Sequence, residues 1–194
     1  MKSHASFIAI LVLCTSFVLP SAQAQSQPGP QPNSKLSQQF LAVQLAQSAH
    51  ADIFNTAGQK IGSASFVPSE GGVRVNVDVS QLPPGPHGIH IHAAGRCEGP
   101  DFKTAGPHFN PANKEHGRDN PEGPHNGDLP NLEVGADGHA NTSMLDTNVT
   151  LGDGPTSLFQ PGGTSIVIHA NLDDYKTDPA GNSGARIACG VIQK

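Results

Sequence analysis

The chain has 194 residues, enough for one domain with a tail. Its hydrophobic share is 36%, its mean hydropathy is −0.31 and only 14% of its residues are charged, which excludes a coiled coil, a highly charged disordered protein and a chain resident in the bilayer. A formal net charge of −5 speaks against a nucleic-acid binder, because neutralising phosphates needs a basic face, and 22 Gly with 17 Pro favour turns and short strands over long helices.

Met1-Lys2, an apolar run over residues 7–19 and then Ala22-Gln23-Ala24 read as a signal peptide spanning residues 1–24 and cleaved after Ala24. The run is short for about 30 Å of hydrocarbon, so no stable membrane insertion is expected after cleavage. Export implies a periplasmic or extracellular destination, and removal of Cys14 leaves Cys97 and Cys189 in an oxidising compartment. The pair reads either as two buried thiols or as a disulfide across 92 positions, the latter stabilising by about 4–5 kcal/mol through chain entropy. Residues 25–48 read as a flexible extension. Its first ten residues are rich in Pro and Gln, and residues 36–48 fit a short helix and a ragged strand equally well.

The domain proper is expected over residues 49–194, where the apolar period is two. Ala51 and Ile53, then Ile61, Ala64 and Phe66, read as strands joined near Ala57-Gly58. Val73, Val75, Val77 and Val79 alternate with Arg74, Asn76 and Asp78 in the clearest strand of the chain. Residues 88–92 form a fourth. Residues 93–130 then lack any sustained period, a connection far longer than the usual 4–6 residues or so. Strands resume near residues 131–135, 139–145, 165–170 and 186–192, with a hairpin turn at Asp137-Gly138. Eight short strands without a long helix predict an all-β antiparallel sandwich or barrel, whose long loop must be held by something other than an apolar core.

Histidine supplies the candidate. His90 and His92 are two apart on a strand and leave one face. With His108, His116 and His125 they place five of the nine histidines that follow residue 24 between residues 90 and 128, together with Asp128. His108, His116, His125 and Asp128 suit zinc in a closed tetrahedral site, and binding there would order the loop. His90, His92 and a later His169 offer imidazoles that, with a fourth nitrogen, favour copper. His50, His87 and His139 fall outside this pattern and read as surface or strand residues.

Gly88-Ile89-His90-Ile91-His92 resembles the copper strand of the copper/zinc superoxide dismutases. Ala105-Gly106-Pro107-His108-Phe109-Asn110-Pro111 is similar to that family's bridging-histidine segment, and Lys114-Glu115-His116-Gly117 with His125-Asn126-Gly127-Asp128 to its zinc loop. The intervals of 8, 9 and 3 residues from His108 to His116, His125 and Asp128 fit the family pattern, as do His169, Asp173-Asp174 and residues 181–191. The resemblance covers about residues 49–192.

It implies an eight-stranded Greek-key β-barrel with long metal-binding and electrostatic loops, holding one copper and one zinc per subunit. The implied reaction is dismutation of two superoxide anions to O₂ and H₂O₂ as copper alternates between Cu(II) and Cu(I). By resemblance, His90, His92, His108 and His169 bind copper, while His108, His116, His125 and Asp128 bind zinc. Asp173 orients one histidine of each set, Cys97 and Cys189 form the family disulfide, His108 relays a proton, and Arg186 receives the anionic substrate. The implied assembly is a monomer or homodimer.

Residues 98–107 are longer than in the familiar cytosolic eukaryotic form, and the span from His169 to Arg186 is shorter and lacks some charged steering residues. A rival reading is a non-catalytic relative, either a zinc-stabilised domain or a copper carrier. A missing copper ligand or a replaced Arg186 would mark it, and neither occurs. A metallo-β-lactamase-like site expects an Asp where this chain has Ala94, and a TIM-barrel amidohydrolase needs about 250 residues.

Overall fold

The computed structural model describes residues 47–194 together with Lys35, Gln38 and Gln39; the expected signal peptide and most of the expected extension lie outside the described residues. Among the described residues nine strands follow in order: β1 (Ala49–Asn55), β2 (Lys60–Ser69), β3 (Gly72–Val79), β4 (Gly85–His87), β5 (Ile89–His92), β6 (Leu132–Val134), β7 (Ala140–Asp146), β8 (Ser165–His169) and β9 (Arg186–Val191). Seven pair antiparallel in the order β5-β8-β9-β1-β2-β3-β7, and β4 pairs with β6. β4 runs into β5 through Gly88, and β6 runs into β7 through the Asp137-Gly138 turn. The small pair therefore draws the two ends of the curled sheet together into a barrel.

The count is one more than the sequence suggested, because β4 precedes the expected strand at residues 88–92 and is separated from it at Gly88. A Cβ on Gly88 would press on Ser183 and on the ring of His90, so the break is a point of close approach.

Alternation builds the wall. On β3 the four valines are at most 1% exposed, while Arg74 and Asp78 face water. Each buried valine contributes roughly 1.5–3 kcal/mol of burial, and a one-residue slip would turn the whole row outward. Ile53, Ile61, Phe66, Ile89, Ile91, Leu132, Ile166 and Ile168 complete the same core.

β5 and β8 differ from β3 in being buried on both faces. Ile89 and Ile91 point into the barrel, whereas His90 and His92 point outward and are covered by residues 93–130. The long loop thus lies against the outside of the wall. Contrary to the sequence reading, apolar contacts help hold it. Phe109 and Leu129 reach the main core, while Phe102 and Ala105 pack into a separate cluster with Val167 and Cys189.

Candidate metal centre

Backbone pairing sews the loop onto β5 and thereby gathers the histidines. Ile91 N donates to Gly127 O at 2.9 Å, and Phe109 N donates to Ile91 O at 2.8 Å. Bridges form between His90 and Asp128 and between His92 and His108. His169 arrives at the end of β8, where the register with β9 shifts. Such an irregularity re-aims a side chain.

Two convergences result. In the first, His90, His92, His108 and His169 bring one nitrogen each within 4.8 Å of all the others. Their opposite nitrogens are engaged. His90 Nε2 lies 2.7 Å from Asp173 Oδ2, His92 Nδ1 2.9 Å from Gly106 O, and His169 Nδ1 3.2 Å from Gly184 O. On the facing side, buried His90 Nδ1 and His108 Nε2 have no hydrogen-bond partner, and the Nε2 atoms of His92 and His169 meet only each other, at 3.4 Å. Buried polar atoms are rarely left so, and four aimed at one point are the donor set of a cation.

The second convergence centres on Asp128 Oδ1, which lies 2.9, 3.1 and 3.3 Å from the Nδ1 atoms of His108, His116 and His125. His125 Nδ1 is also 3.3 Å from His108 Nδ1. Ligands at 2.0–2.1 Å from a tetrahedral zinc stand about 3.3 Å apart, so the spacing fits. His90, His108, His116 and Asp128 each bring one ligand atom within 4.8 Å of the others, a set that has His90 in place of His125. His90 Nε2 is bonded to Asp173, however, and its Nδ1 belongs to the first set. Between the two convergences stands one ring, with His108 Nδ1 facing the second and Nε2 the first.

Burial pushes His90 and His92 below the ordinary imidazole value, and takes His108 down to about 4 and His169 down to about 3. These rings are neutral at pH 7, the form a metal ligand needs. Burial also opposes ionisation of Asp128, yet bonds from His108, His116, His125 and Gly117 N overcome it and hold the carboxyl far below its usual range. Asp173 is likewise depressed. Burial would lower His116, but the two carboxylates it bridges raise it to about 9. Without metals the protonated His116 is a single positive charge between two buried carboxylates, so the cluster has room for more positive charge. The residues present therefore fit both ions.

A sequence profile for copper/zinc superoxide dismutase matches residues 60–192. A copper/zinc superoxide dismutase of Aquifex aeolicus is 51% identical over 146 residues, covering 74% of this chain and 86% of the relative. The chain belongs to the copper/zinc superoxide dismutase family. The superoxide dismutase-like protein YojM of Bacillus subtilis is 38% identical over 186 residues, covering 94% of this chain and 95% of its own length. Among solved structures, a superoxide dismutase-like protein from Bacillus subtilis superposes with a TM-score of 0.72 at 41% identity, covering 73% of this chain and 96% of that one. The copper/zinc enzyme of Brucella abortus gives 0.63 at 30%, with 75% and 99% covered.

In this family member Cys97 and Cys189 are joined, with Cα atoms 5.6 Å apart, tying the loop to β9. Arg186, half-buried at the start of β9, donates from Nη1 to Phe102 O and from Nη2 to Gly106 O, each at 2.7 Å. His139 is exposed and paired with Asp78, as a surface residue should be. His87 lies on β4 but is buried between the carbonyls of Pro83 and His169, at 2.8 Å from each.

Sequence reasoning missed the supports of Asp173. Asn131 clamps its backbone with two bonds, Nδ2 donating to Asp173 O at 2.9 Å and Oδ1 accepting from Asp173 N at 2.8 Å. Tyr175 N donates to Asp173 Oδ1 at 2.7 Å, and its hydroxyl accepts from Asn131 N at 2.7 Å. Arg118 stacks over the Tyr175 ring at 3.9 Å, joining the two loops. Gly181 has φ of 60°, and a Cβ there would fall on the Asp173 carboxylate and His116 Nε2. Asp178 accepts from His116 N at 2.7 Å. Of these, only Gly181 lies in a segment, residues 181–191, that the family resemblance marks.

Proposed function

We propose that this chain is an exported, catalytically active superoxide dismutase, holding copper through His90, His92, His108 and His169 and zinc through His108, His116, His125 and Asp128. Copper held there would supply one-electron redox chemistry, so that two superoxide anions and two protons give O₂ and H₂O₂. The chain's own residues supply the rest. Arg186 spends two donors on carbonyls and keeps the remaining N–H groups of its five for an anion. Partial burial strengthens that attraction, which matters because a net charge of −5 makes the long-range field repulsive to superoxide. His108 holds and releases a proton at Nε2, its unpartnered ring atom. Asp173 fixes the orientation of His90 and His116 together, and such carboxylates raise the basicity of the ring they hold.

The observation that carries this reading is the single ring of His108 set between two convergent donor sets. The complete ligand sets and Arg186 favour it over the non-catalytic alternative. Elemental analysis of the purified protein, paired with superoxide removal, tests it. About one copper and one zinc per chain with rapid turnover is expected, and zinc without turnover would select the carrier or zinc-stabilised reading. The disulfide supports an oxidising destination, periplasmic or extracellular. Among the described residues no helix is long and apolar enough to cross a membrane. N-terminal sequencing of exported protein should find cleavage after Ala24 and a mature chain of linker and catalytic domain, and sedimentation should find monomer or homodimer.

A further inference from the structure

The carbonyls that hold Arg186 sit in a stretch of loop with its own small core. Phe102 is 2% exposed and packs with Ala105, Val167 and Cys189, with Cys97 half-buried beside them, apart from the main barrel core. Its backbone is left-handed, with φ of 50°, a conformation disfavoured for a bulky side chain. Something must hold it there, and the buried ring does. So placed, the Phe102 carbonyl accepts from Ala105 N at 3.1 Å and from Arg186 Nη1 at 2.7 Å, using both lone pairs. Gly106 O, on the same turn, accepts from Arg186 Nη2 at 2.7 Å and faces His92 Nδ1 at 2.9 Å. Phe102 N donates to Glu98 O at 3.1 Å, and Glu98 N donates to Thr104 Oγ1 at 2.9 Å, which closes the turn on itself.

We propose that Phe102 is a positioning residue for the guanidinium of Arg186: its ring, locked in the small core beneath the loop, keeps the turn left-handed and aims the carbonyl that tethers the cation. The inference rests on Arg186 being the group that receives superoxide. Two tethers fix both the place and the plane of the guanidinium. Without the ring the turn relaxes toward ordinary right-handed backbone, its carbonyl swings away, and the cation is left on one tether. The disulfide does not replace this, because it anchors the loop at Cys97, five positions upstream of the carbonyl that does the aiming.

The test uses the full protein loaded with zinc and Cu(I), which is diamagnetic, and reads the side-chain Nη resonances of Arg186 by NMR. The unsubstituted protein should show distinct, slowly exchanging Nη signals. In Phe102→Ala these should merge while copper and zinc contents stay unchanged, and Phe102→Leu should keep most of the separation. Turnover at limiting superoxide should fall about tenfold in Phe102→Ala and lose part of its salt dependence, since misplacing a group by about 1 Å costs up to roughly a hundredfold. Arg186 signals and turnover identical to those of the unsubstituted protein would overturn the proposal. If Phe102→Ala does not fold, Val167→Ala trims the opposite wall of the same core and should broaden the Nη signals; unchanged signals there would count against the proposal. Absence of turnover in the unsubstituted protein would instead overturn the functional reading on which it rests, while the Nη spectra still report whether the ring holds the cation.

Discussion

The wall formed by β1, β2, β3 and β7 and the loops laid over β5 and β8 are built by different physics. The wall is a period-two pattern in which Val73, Val75, Val77, Val79 and Phe66 vanish from water, and its stability scales with apolar area. Residues 93–130 and 170–185 contribute few apolar anchors, Phe102, Phe109 and Leu129 among them. They are ordered mainly by side-chain bonds to backbone, by a disulfide and by carboxylates buried among imidazoles. The wall should therefore stand without metals, and the loops should not be fully ordered without them.

The largest break in this contrast is His108→Ala, which removes a ligand from both donor sets at once. Loss of an outer partner of a ligand costs about 10–100-fold in metal affinity, and loss of the shared ligand should exceed this for both ions and abolish turnover. Far-ultraviolet circular dichroism should stay that of a β-barrel. Next comes Cys97→Ser, which frees the loop from β9. Unfolding by denaturant should show about 4–5 kcal/mol less stability, and amide exchange should quicken first in residues 98–107 rather than in β2 and β3.

The wall has one polar cost of its own. Asp146, at the end of β7, is 3% exposed, and its Oδ2 has no partner. Burial raises its pKa to about 7, well above the ordinary aspartate value of about 4. Between those values the folded state binds more protons than the unfolded one, so stability falls as pH rises from about 4 to about 7. At about 1.4 kcal/mol per unit the loss reaches about 4 kcal/mol. Asp146→Asn should flatten that slope in urea-unfolding curves across the range, and an unchanged slope would show the carboxyl is not its source. The smallest effect sharpens the contrast from the loop side. Asn131→Ala removes both clamps on the Asp173 backbone and should weaken zinc and copper binding by about tenfold in competition with a chelator, with little change in thermal unfolding of the zinc-free barrel.

The wall was legible because alternation is a local signal, and β3 could be read residue by residue. The histidines that converge, and Asp128 with them, were legible for a different reason. Their residue types are rare and their spacing repeats a known family pattern, so a resemblance could name them before any fold was drawn. Asn131, Tyr175 and Phe102 were not legible. What each does depends on a meeting that only the fold makes: Asn131 with the Asp173 backbone, the Tyr175 hydroxyl with Asn131 N, and the Phe102 carbonyl with the Arg186 guanidinium. No composition or period encodes that meeting. The strand at residues 88–92 was legible, but β4 was missed because Gly85-Pro86 reads as a turn rather than a strand. His87 shows the same limit, since only the carbonyls on either side of its ring reveal that it is buried.

Crystallography of the metal-loaded protein, with anomalous scattering collected at the copper and zinc edges, puts the shared ring to the test. Copper and zinc peaks should lie on opposite sides of His108, about 6 Å apart as one imidazole with a bond of about 2 Å at each nitrogen requires. Peaks that do not both adjoin that ring, or a single ion in contact with it when both metals are bound, would contradict the account.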